Sequence, residues 1–568
     1  MEHWMKWLIF FRFAFRFVFL HGSTNLESIV SDVTEMQIDS LLNKWGIKTL
    51  PGLQFDSKKE VKEHQAFWSL CFESRHNHLM LKMFSFIASK ARSRNDPEKF
   101  HDILTSTKIL WVMDEARFLS VTRYSNASEY TLFRTFHAAM HFANEGFFAV
   151  VVDTQLQPIN YAPPRKPDPS LRFDENDDNV YLNLYHPFSA VTTTDVMCDP
   201  TSNVSEPKHR FTLGRPLWTA RFDKCGSEEQ LIDFALTKLF GGLSLLPNNH
   251  GMIACIVVLT GISIVPASPM ASILVASHMA TCLAVDPDRE SLLIVYPIEP
   301  VLAEAAKGYV IDEYNKKRLF KIFEPVFDCF RKGDIHRNGD GTLVAKMLIL
   351  LGQYQVSVRG SIISLCQRVL VALFGASIME EQSMGDFDDE FSFNCFANIM
   401  RKETHWKESD ANSELALFFN RGAAIQLPKQ QDGVTFLLPI RRKQNTEKGG
   451  SVQYSYKYLL VHVENRKIDM SSSDVDDCAK ELDETFYKSA SWENCNIGWS
   501  IIMNVGQKKQ EAYWYPQKST CDDKSPVAKR RHESKYLVVN GIGSVSYPGL
   551  LSDQSLLEGT FHRLLQNP

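Results

Sequence analysis

Two apolar runs decide most of what this chain can fold into. "ILWVM" at residues 109–113 and "FFAVVVDT" at 147–154 are continuous rather than alternating. That is the pattern of strands covered on both faces, as in a mostly parallel sheet. Between them "EYTLFRTFHAAMHFAN" (129–144) has helical spacing and supplies the crossover that parallel neighbours need. From Asp102 to about Pro300 the order strand, helix, strand predicts an α/β domain.

The first run ends on Asp114 and Glu115, the Walker B pattern of P-loop ATPases. An Asp at the C-terminal edge of such a strand holds Mg²⁺, while the neighbouring acid polarises the attacking water. The second run ends at Asp153 and Thr154, where a polar residue senses the terminal phosphate, and Arg215 in "GRPLW" offers a planar fork for a phosphate. The competing reading makes these groups strand-end solvation and loop packing. The phosphate cradle G-x-x-x-x-G-K-[ST] is missing. The nearest upstream stretch, "FVFLHGSTNLES", has one glycine and no lysine, so ATP or GTP is an expectation with half its site absent.

Farther along, a Pro- and Asp-rich stretch (157–178) reads as a surface loop. Helices are expected through "LIDFALTKLF", "ASILVASHMATCLAV" and the span from "EPVLAEAAKGY" to "QRVLVALFGA". After the acidic joint "MEEQSMGDFDDE" the texture changes to helix "ANSELALFFNRGAAI", strand "GVTFLLPI", strand "YKYLLVHVEN", helix "SDVDDCAKELDETFYK" and strand "IGWSIIMNV". A hairpin feeding a crossover helix fits a second α/β domain.

That domain carries another set of candidate acids. Nucleases of the restriction-endonuclease type, PD-(D/E)XK, place one Asp at the start of a strand and Glu/Gln-x-Lys on the strand paired with it. The acids hold a metal and the lysine activates water. Asp432 matches the first acid, His462 stands where Glu or Gln is expected, and Glu464 stands where the lysine is expected. His462 and Glu464 share a face because strand side chains alternate. They are candidate ligands with Asp432 for a metal, expected as Mg²⁺, and Glu414 on the preceding helix is a fourth. Lys457 or Lys467 would have to replace the lost cation.

Other features narrow the class. With 44% hydrophobic, 23% charged and 11% aromatic residues over 568 positions, the chain is globular and expected to form two or three domains. A net charge of -5 excludes a uniformly basic nucleic-acid coat but not a basic groove. Eleven scattered cysteines without C-x-x-C indicate reduced thiols rather than a disulfide framework. The N-terminal "MEHWMKWLIFFRFAFRFVFLHGS" imitates a signal peptide, but Arg12 and Arg16 interrupt its apolar stretch, and no other segment is apolar enough to span a bilayer. "DIHRNGDGTLVAK" fails as a calcium loop because its twelfth position is Ala345. The sequons at Asn126 and Asn203 matter only in a secreted chain, and Lys529, Arg530 and Arg531 form a short basic cluster suited to nuclear import or a solvated loop.

Taken in order, "WVMDEAR", "FFAVVVDTQLQPINYAPP", "GRPLW", "VYPIEPVLAEAA", "GDGTLVAKMLIL", "RGAAIQLP", "DGVTFLLPI" and "LLVHVEN" resemble the Crinkler-type proteins of fungi and oomycetes. These are related to mobile-element NTPase–nuclease proteins, and the resemblance covers roughly residues 100 to 500. It implies a remnant of the NTPase start in 1–100, a P-loop NTPase-like core in 101–245, an α-helical module in 246–385, a restriction-endonuclease-like domain in 386–515 and a C-terminal tail in 516–568. It also implies DNA as substrate, host nuclear proteins as partners, and a nuclear or cytoplasmic location, with secretion and delivery into a host nucleus as a variant, while the lack of a long apolar segment gives no membrane association as the expectation. Residue by residue, Asp114 and Glu115 fall on the Walker B acids, Thr154 on the sensing position, Asp432 on the first nuclease acid and Glu464 on the nuclease lysine. The alternative is a non-catalytic interaction or effector protein that keeps both folds as binding surfaces. A third reading is an unrelated two-domain protein whose acids merely end strands.

Overall fold

The computed structural model describes residues 109–113, 122–125, 128–131, 147–152, 193–198, 207–242, 247–286, 291–336, 340–357, 363–380, 389–398, 408–427, 434–444, 453–468, 470–487, 496–516 and 535–566. The chain divides into two compact units, Met1–Tyr185 and His186–Pro568.

In the first unit, β1 (Ile109–Met113) pairs in parallel with β4 (Phe147–Val151), with Ile109 opposite Phe147 and Met113 opposite Val151. The apolar runs are thus strands of one parallel pair. Val150 and Val152, at the end of the second run, are 44% and 45% exposed, so that end is not covered on both faces. Between the pair lies an antiparallel hairpin, β2 (Thr122–Ser125) and β3 (Ser128–Thr131). Glu129 to Thr131, expected to open the crossover helix, are strand residues of that hairpin. Tyr130 and Thr131 suit a pleated surface better than a helix turn.

The second unit begins with α1 (Pro216–Cys225), α2 (Glu228–Leu239), α3 (Asn249–Thr260) and α4 (Pro269–Ser277). Helix α3 is apolar on every side, the pattern of a helix surrounded by protein. Ile253 through Thr260 are all buried, with five β-branched residues among them at Ile253, Ile256, Val257, Val258 and Thr260. Asn248 starts it by accepting the Gly251 amide at 2.7 Å, and Gly261 at φ 60 ends it. After α4 the chain turns through Met279, φ 68, into β5 (Thr281–Val285), antiparallel to β6 (Leu292–Val295). "TCLAV", expected as helix, is a strand because the backbone reverses at His278 and Met279 with no glycine or proline to signal it. Three long helices follow, α5 (Pro300–Asn315), α6 (Phe320–Lys332) and α7 (Asp340–Val356), and then short β7 (Ile363–Leu365) and α8 (Cys366–Phe374).

β7 belongs to a sheet with the strands that follow, β8 (Glu390–Ser392), β9 (Cys395–Asn398), β10 (Ala423–Gln426), β11 (Phe436–Gln444), β12 (Gln453–Glu464), β13 (Asn496–Asn504), β14 (Glu511–Pro516) and β15 (Lys535–Asn540), with helix α9 (Glu408–Arg421) between β9 and β10 and α10 (Ser472–Tyr487) between β12 and β13 in the chain. The order of the sheet is β14-β15-β13-β12-β11-β10-β9, with β8 joining the far end of β11 and β7 joining β8. β11 and β12 form a nine-residue antiparallel hairpin, while β12, β13 and β15 run parallel. Parallel pairing of β12 with β13 requires a crossover, and α10 provides it. The end of the acidic joint becomes a clamp: Asp389 accepts two 2.6 Å bonds from Arg442, and Glu390 two from Arg441.

The helices α1 to α8 and the sheet lie in one compact unit, His186–Pro568. The stretch after 516, expected as a tail, contributes β15, inserted between β13 and β14, and the closing helix α11 (Ser555–Gln566). "GAAI", expected as the end of a helix, is β10, because Gly422 at φ 66 stops α9 and Ala423–Gln426 pair in parallel with Cys395–Asn398. The mixed α/β class holds.

Candidate functional site

The end of β12 is the best-formed cluster of reactive side chains among the described residues. His462 and Glu464 project from the same face two positions apart, and His462 Nε2 lies 2.9 Å from Glu464 Oε1. Helix α10 lies across that face with Val475, Cys478, Ala479 and Leu482 buried at one stripe. Cys478 therefore points at the sheet, and His462, Glu464 and Cys478 each bring a donor atom within 4.8 Å of the other two. Arg466, two residues beyond the end of β12, donates to Glu464 Oε2 at 3.1 Å and to Asp474 at the start of α10 at 3.1 Å. The start of β11 is beside this cluster: Thr435 donates its amide to the Val461 carbonyl and accepts from the Val463 amide, each at 3.0 Å.

The electrostatics follow from this arrangement. Burial by itself lowers the His462 pKa, but hydrogen bonds to Cys478 and Glu464 and their charges overcome it and hold the imidazole up to about 10. Glu464 is held below the ordinary carboxylate range, chiefly by its bond from His462, with Arg466 adding to it. The resting state is imidazolium, carboxylate and guanidinium in a row. Both Glu464 oxygens are engaged by cations. A hard ion such as Mg²⁺ prefers octahedral oxygen ligands and keeps several waters. An imidazole, a thiol and one doubly engaged carboxylate do not fit it.

Of the residues singled out in the sequence, His462 and Glu464 come together. Glu414 is half-buried and outside the group of three donors. Lys457 projects to the opposite face of β12 and Lys467 is exposed beyond the strand, while Arg466 is the cation that meets Glu464. Arg215, expected to meet a phosphate, is engaged inside the second unit. Its Nε donates to Glu299 at 2.8 Å, and its Nη2 reaches both the Met279 carbonyl and Thr281 Oγ1. Trp218 donates to the other Glu299 oxygen at 2.9 Å, and Glu299 is 1% exposed. Burial pushes that carboxyl up, and Arg215 and Trp218 pull it back. Asp114, Glu115, Asp153, Thr154 and Asp432 lie outside the described residues, immediately after β1, after residue 152 and before Val434 respectively, as do Lys529, Arg530 and Arg531.

Sequence reasoning passed over Lys346. It sits on α7, 3% exposed, and its ammonium donates to the Thr260 carbonyl at the end of α3 and to Gln426 at the end of β10. No carboxylate faces it among those bonds; the rings of Phe396 and Phe436 lie 5.3 and 5.9 Å away. Burial pulls its pKa down to about 7. A cleft lined by Thr260, Ser263, His336, Asn398 and Gln426 opens beside it. Because Ile425 points into the core under α9 and α10, Gln426 and this cleft belong to the other face of the sheet.

Among families, residues 248–489 match Domain of unknown function (DUF8736), and residues 85–191 match Domain of unknown function (DUF8735). The first match takes in α3 through α10, with Lys346, His462, Glu464 and Cys478, and the second takes in the β1–β4 pair. No curated protein and no solved structure matches the chain. Among the described residues no helix is long and apolar enough to cross a membrane.

Proposed function

We propose that this chain is a Crinkler-like NTPase–nuclease relative whose C-terminal unit engages DNA with hydrolysis lost or strongly weakened. The observation that carries the reading is the order α9, β10, β11, β12, α10, β13, with His462 and Glu464 at the end of β12 beside the start of β11. A restriction-endonuclease-type site needs its second acid and its lysine at that strand end, facing the Asp that opens the paired strand. Here the two positions hold a histidine and an acid that neutralise each other. An acid paired in this way cannot supply the lysine's role of activating water, and loss of one catalytic group removes orders of magnitude in rate.

For the first unit, support comes from β1 and β4, which run in parallel and end directly before the Asp114-Glu115 and Asp153-Thr154 pairs. Strand ends of a parallel sheet are where phosphates and Mg²⁺ are held. In that role Asp114 would hold the ion, Glu115 would orient the water and Thr154 would meet the terminal phosphate.

The test is a DNA assay on the full chain with Mg²⁺ or Mn²⁺. The expected result is salt-dependent binding of duplex DNA with no metal-dependent cleavage, and Asp432→Ala leaving binding unchanged. Cleavage abolished by Asp432→Ala would establish a working nuclease and overturn the loss. Absence of any DNA binding at low salt would overturn DNA as the partner and leave the interaction-protein reading. Binding of a fluorescent ATP analogue weakened by Asp114→Ala is the matching expectation for the first unit.

A further inference from the structure

We propose that His462, Glu464 and Cys478 form a site for a thiophilic divalent metal of the zinc type, with a fourth position left for water or a partner's ligand. The proposal does not rest on the nuclease reading, because it uses only these three side chains and their surroundings.

Zinc takes imidazole nitrogen, thiolate sulfur and carboxylate oxygen in tetrahedral sets, at about 2.0–2.3 Å from each. Ligand atoms around such an ion are therefore a little over 3 Å apart, about 3.3–3.8 Å. The three donors here already lie within 4.8 Å of one another, and the His462–Glu464 pair at 2.9 Å, so small rotations bring them to one ion. The combination of a thiol and an imidazole selects zinc over magnesium or calcium.

Placement of the three donors adds weight. His462 and Cys478 are 7% and 3% exposed, so two ligands are fixed in packed surroundings on a strand and on the helix that crosses it. Glu464 is the outermost, its side chain 24% exposed, which turns the remaining coordination position toward solvent. Arg466 grips the other Glu464 oxygen and is itself held by Asp474, fixing the orientation of the carboxylate as metal sites require. On binding, protons carried by the imidazole and the sulfur leave to solvent as the Zn–N and Zn–S bonds form.

The experiment uses the full chain, stripped with a chelator and then equilibrated with Zn²⁺ or Co²⁺. The wild type is expected to retain one equivalent of metal after dialysis, and its Co²⁺ form to show thiolate-to-metal charge-transfer absorption. Cys478→Ser, nearly isosteric, removes that absorption while the far-ultraviolet circular dichroism stays unchanged. His462→Gln lowers the affinity further than Arg466→Met, for which loss of a supporting partner costs roughly 10–100-fold. Retention of the absorption in Cys478→Ser would put the metal on other cysteines and overturn the proposal. So would failure of the folded wild type to hold either ion. Neither result bears on DNA binding, which is measured separately.

Discussion

Two buried groups with opposite displacements should make the pH dependence of stability look flat when it is not. Burial pulls Lys346 from 10.5 down to about 7. Bonds to Cys478 and Glu464 carry His462 from 6.5 up to about 10, against burial. Between pH 7 and 10.5 the unfolded chain holds the Lys346 proton and the folded chain does not, so unfolding takes up a proton and stability rises with pH. For His462 the folded chain holds the proton that the unfolded chain has released. Its contribution is complete below 6.5 and is lost as pH climbs through 10. Each slope is about 1.4 kcal/mol per pH unit, and over the shared window they cancel. Lys346→Met removes one side of the balance. Its unfolding free energy should fall relative to wild type by about 3 kcal/mol between pH 7 and 9.5, and that of His462→Gln should rise by a similar amount. The assay is urea unfolding in chelator-containing buffer at half-unit pH steps, followed by circular dichroism, with each variant compared with wild type at the same pH. Any constant cost of the substitution drops out of the slope. Parallel curves for Lys346→Met and wild type would refute the reasoning, since they would mean that the ammonium is charged in the fold at an ordinary pKa.

Arg215→Met should destabilise the second unit by about 3–5 kcal/mol by leaving Glu299 buried without its cation, while binding of an ATP analogue stays unchanged; weakened nucleotide binding in a folded variant would instead return Arg215 to a phosphate role. Gly549→Ala places a Cβ 2.0 Å from the Ala372 carbonyl of α8. Backbone cannot give way as a side chain does, so a loss of more than about 2 kcal/mol in thermal or urea unfolding is expected, at the upper part of the usual overpacking range; a neutral variant would contradict that packing. A chain ending at residue 516 loses β15, the partner of β14 among the described residues and a neighbour of β13, and should be rapidly degraded in limited proteolysis. A protease-resistant product would show that the sheet closes without it.

What could be read from the sequence was whatever a single element states about itself. The strands β11, β12 and β13 are runs of apolar residues with clear breaks, and α10 between them has a helical stripe, so their order was visible before any pairing was known. The parallel pair β1 and β4 was visible for the same reason. Errors came where the local preference disagrees with the neighbours. Ala423 to Gln426 are good helix formers, yet the open side of β9 takes them as a strand, and Gly422 was the only local sign. "TCLAV" continues a helical stripe by composition, but the helix ends at Ser277 and the chain turns through Met279, a residue with no turn preference. The short run "YLVVN" reads as a tail because its length alone does not tell a central strand from a peripheral one; Tyr536 to Asn540 are all buried between β13 and β14.

The site shows the same division between what one strand discloses and what only packing can. Alternation along β12 puts His462 and Glu464 on one face, so these two are legible together from sequence, whereas Arg466 lies beyond the strand and reaches Glu464 from the segment after it. Cys478 is not legible in that way, because its pairing with His462 depends on α10 crossing β12 at one particular turn, and the stripe Val475, Cys478, Ala479, Leu482 says only that the thiol faces inward. Arg215 and Glu299 are 84 positions apart, and a lone arginine in a loop gives no hint that a buried carboxylate is waiting for it. Lys346 is the furthest from legibility. In "GDGTLVAKMLIL" it interrupts an otherwise apolar helix, which favours an exposed position by composition, and its burial is possible only because the last carbonyl of α3 and the Gln426 side chain converge on its ammonium from two other elements. A buried cation held by neutral acceptors makes a residue of this kind sensitive to protonation, and that is why a slope in stability against pH reports on it more directly than any single-point measurement.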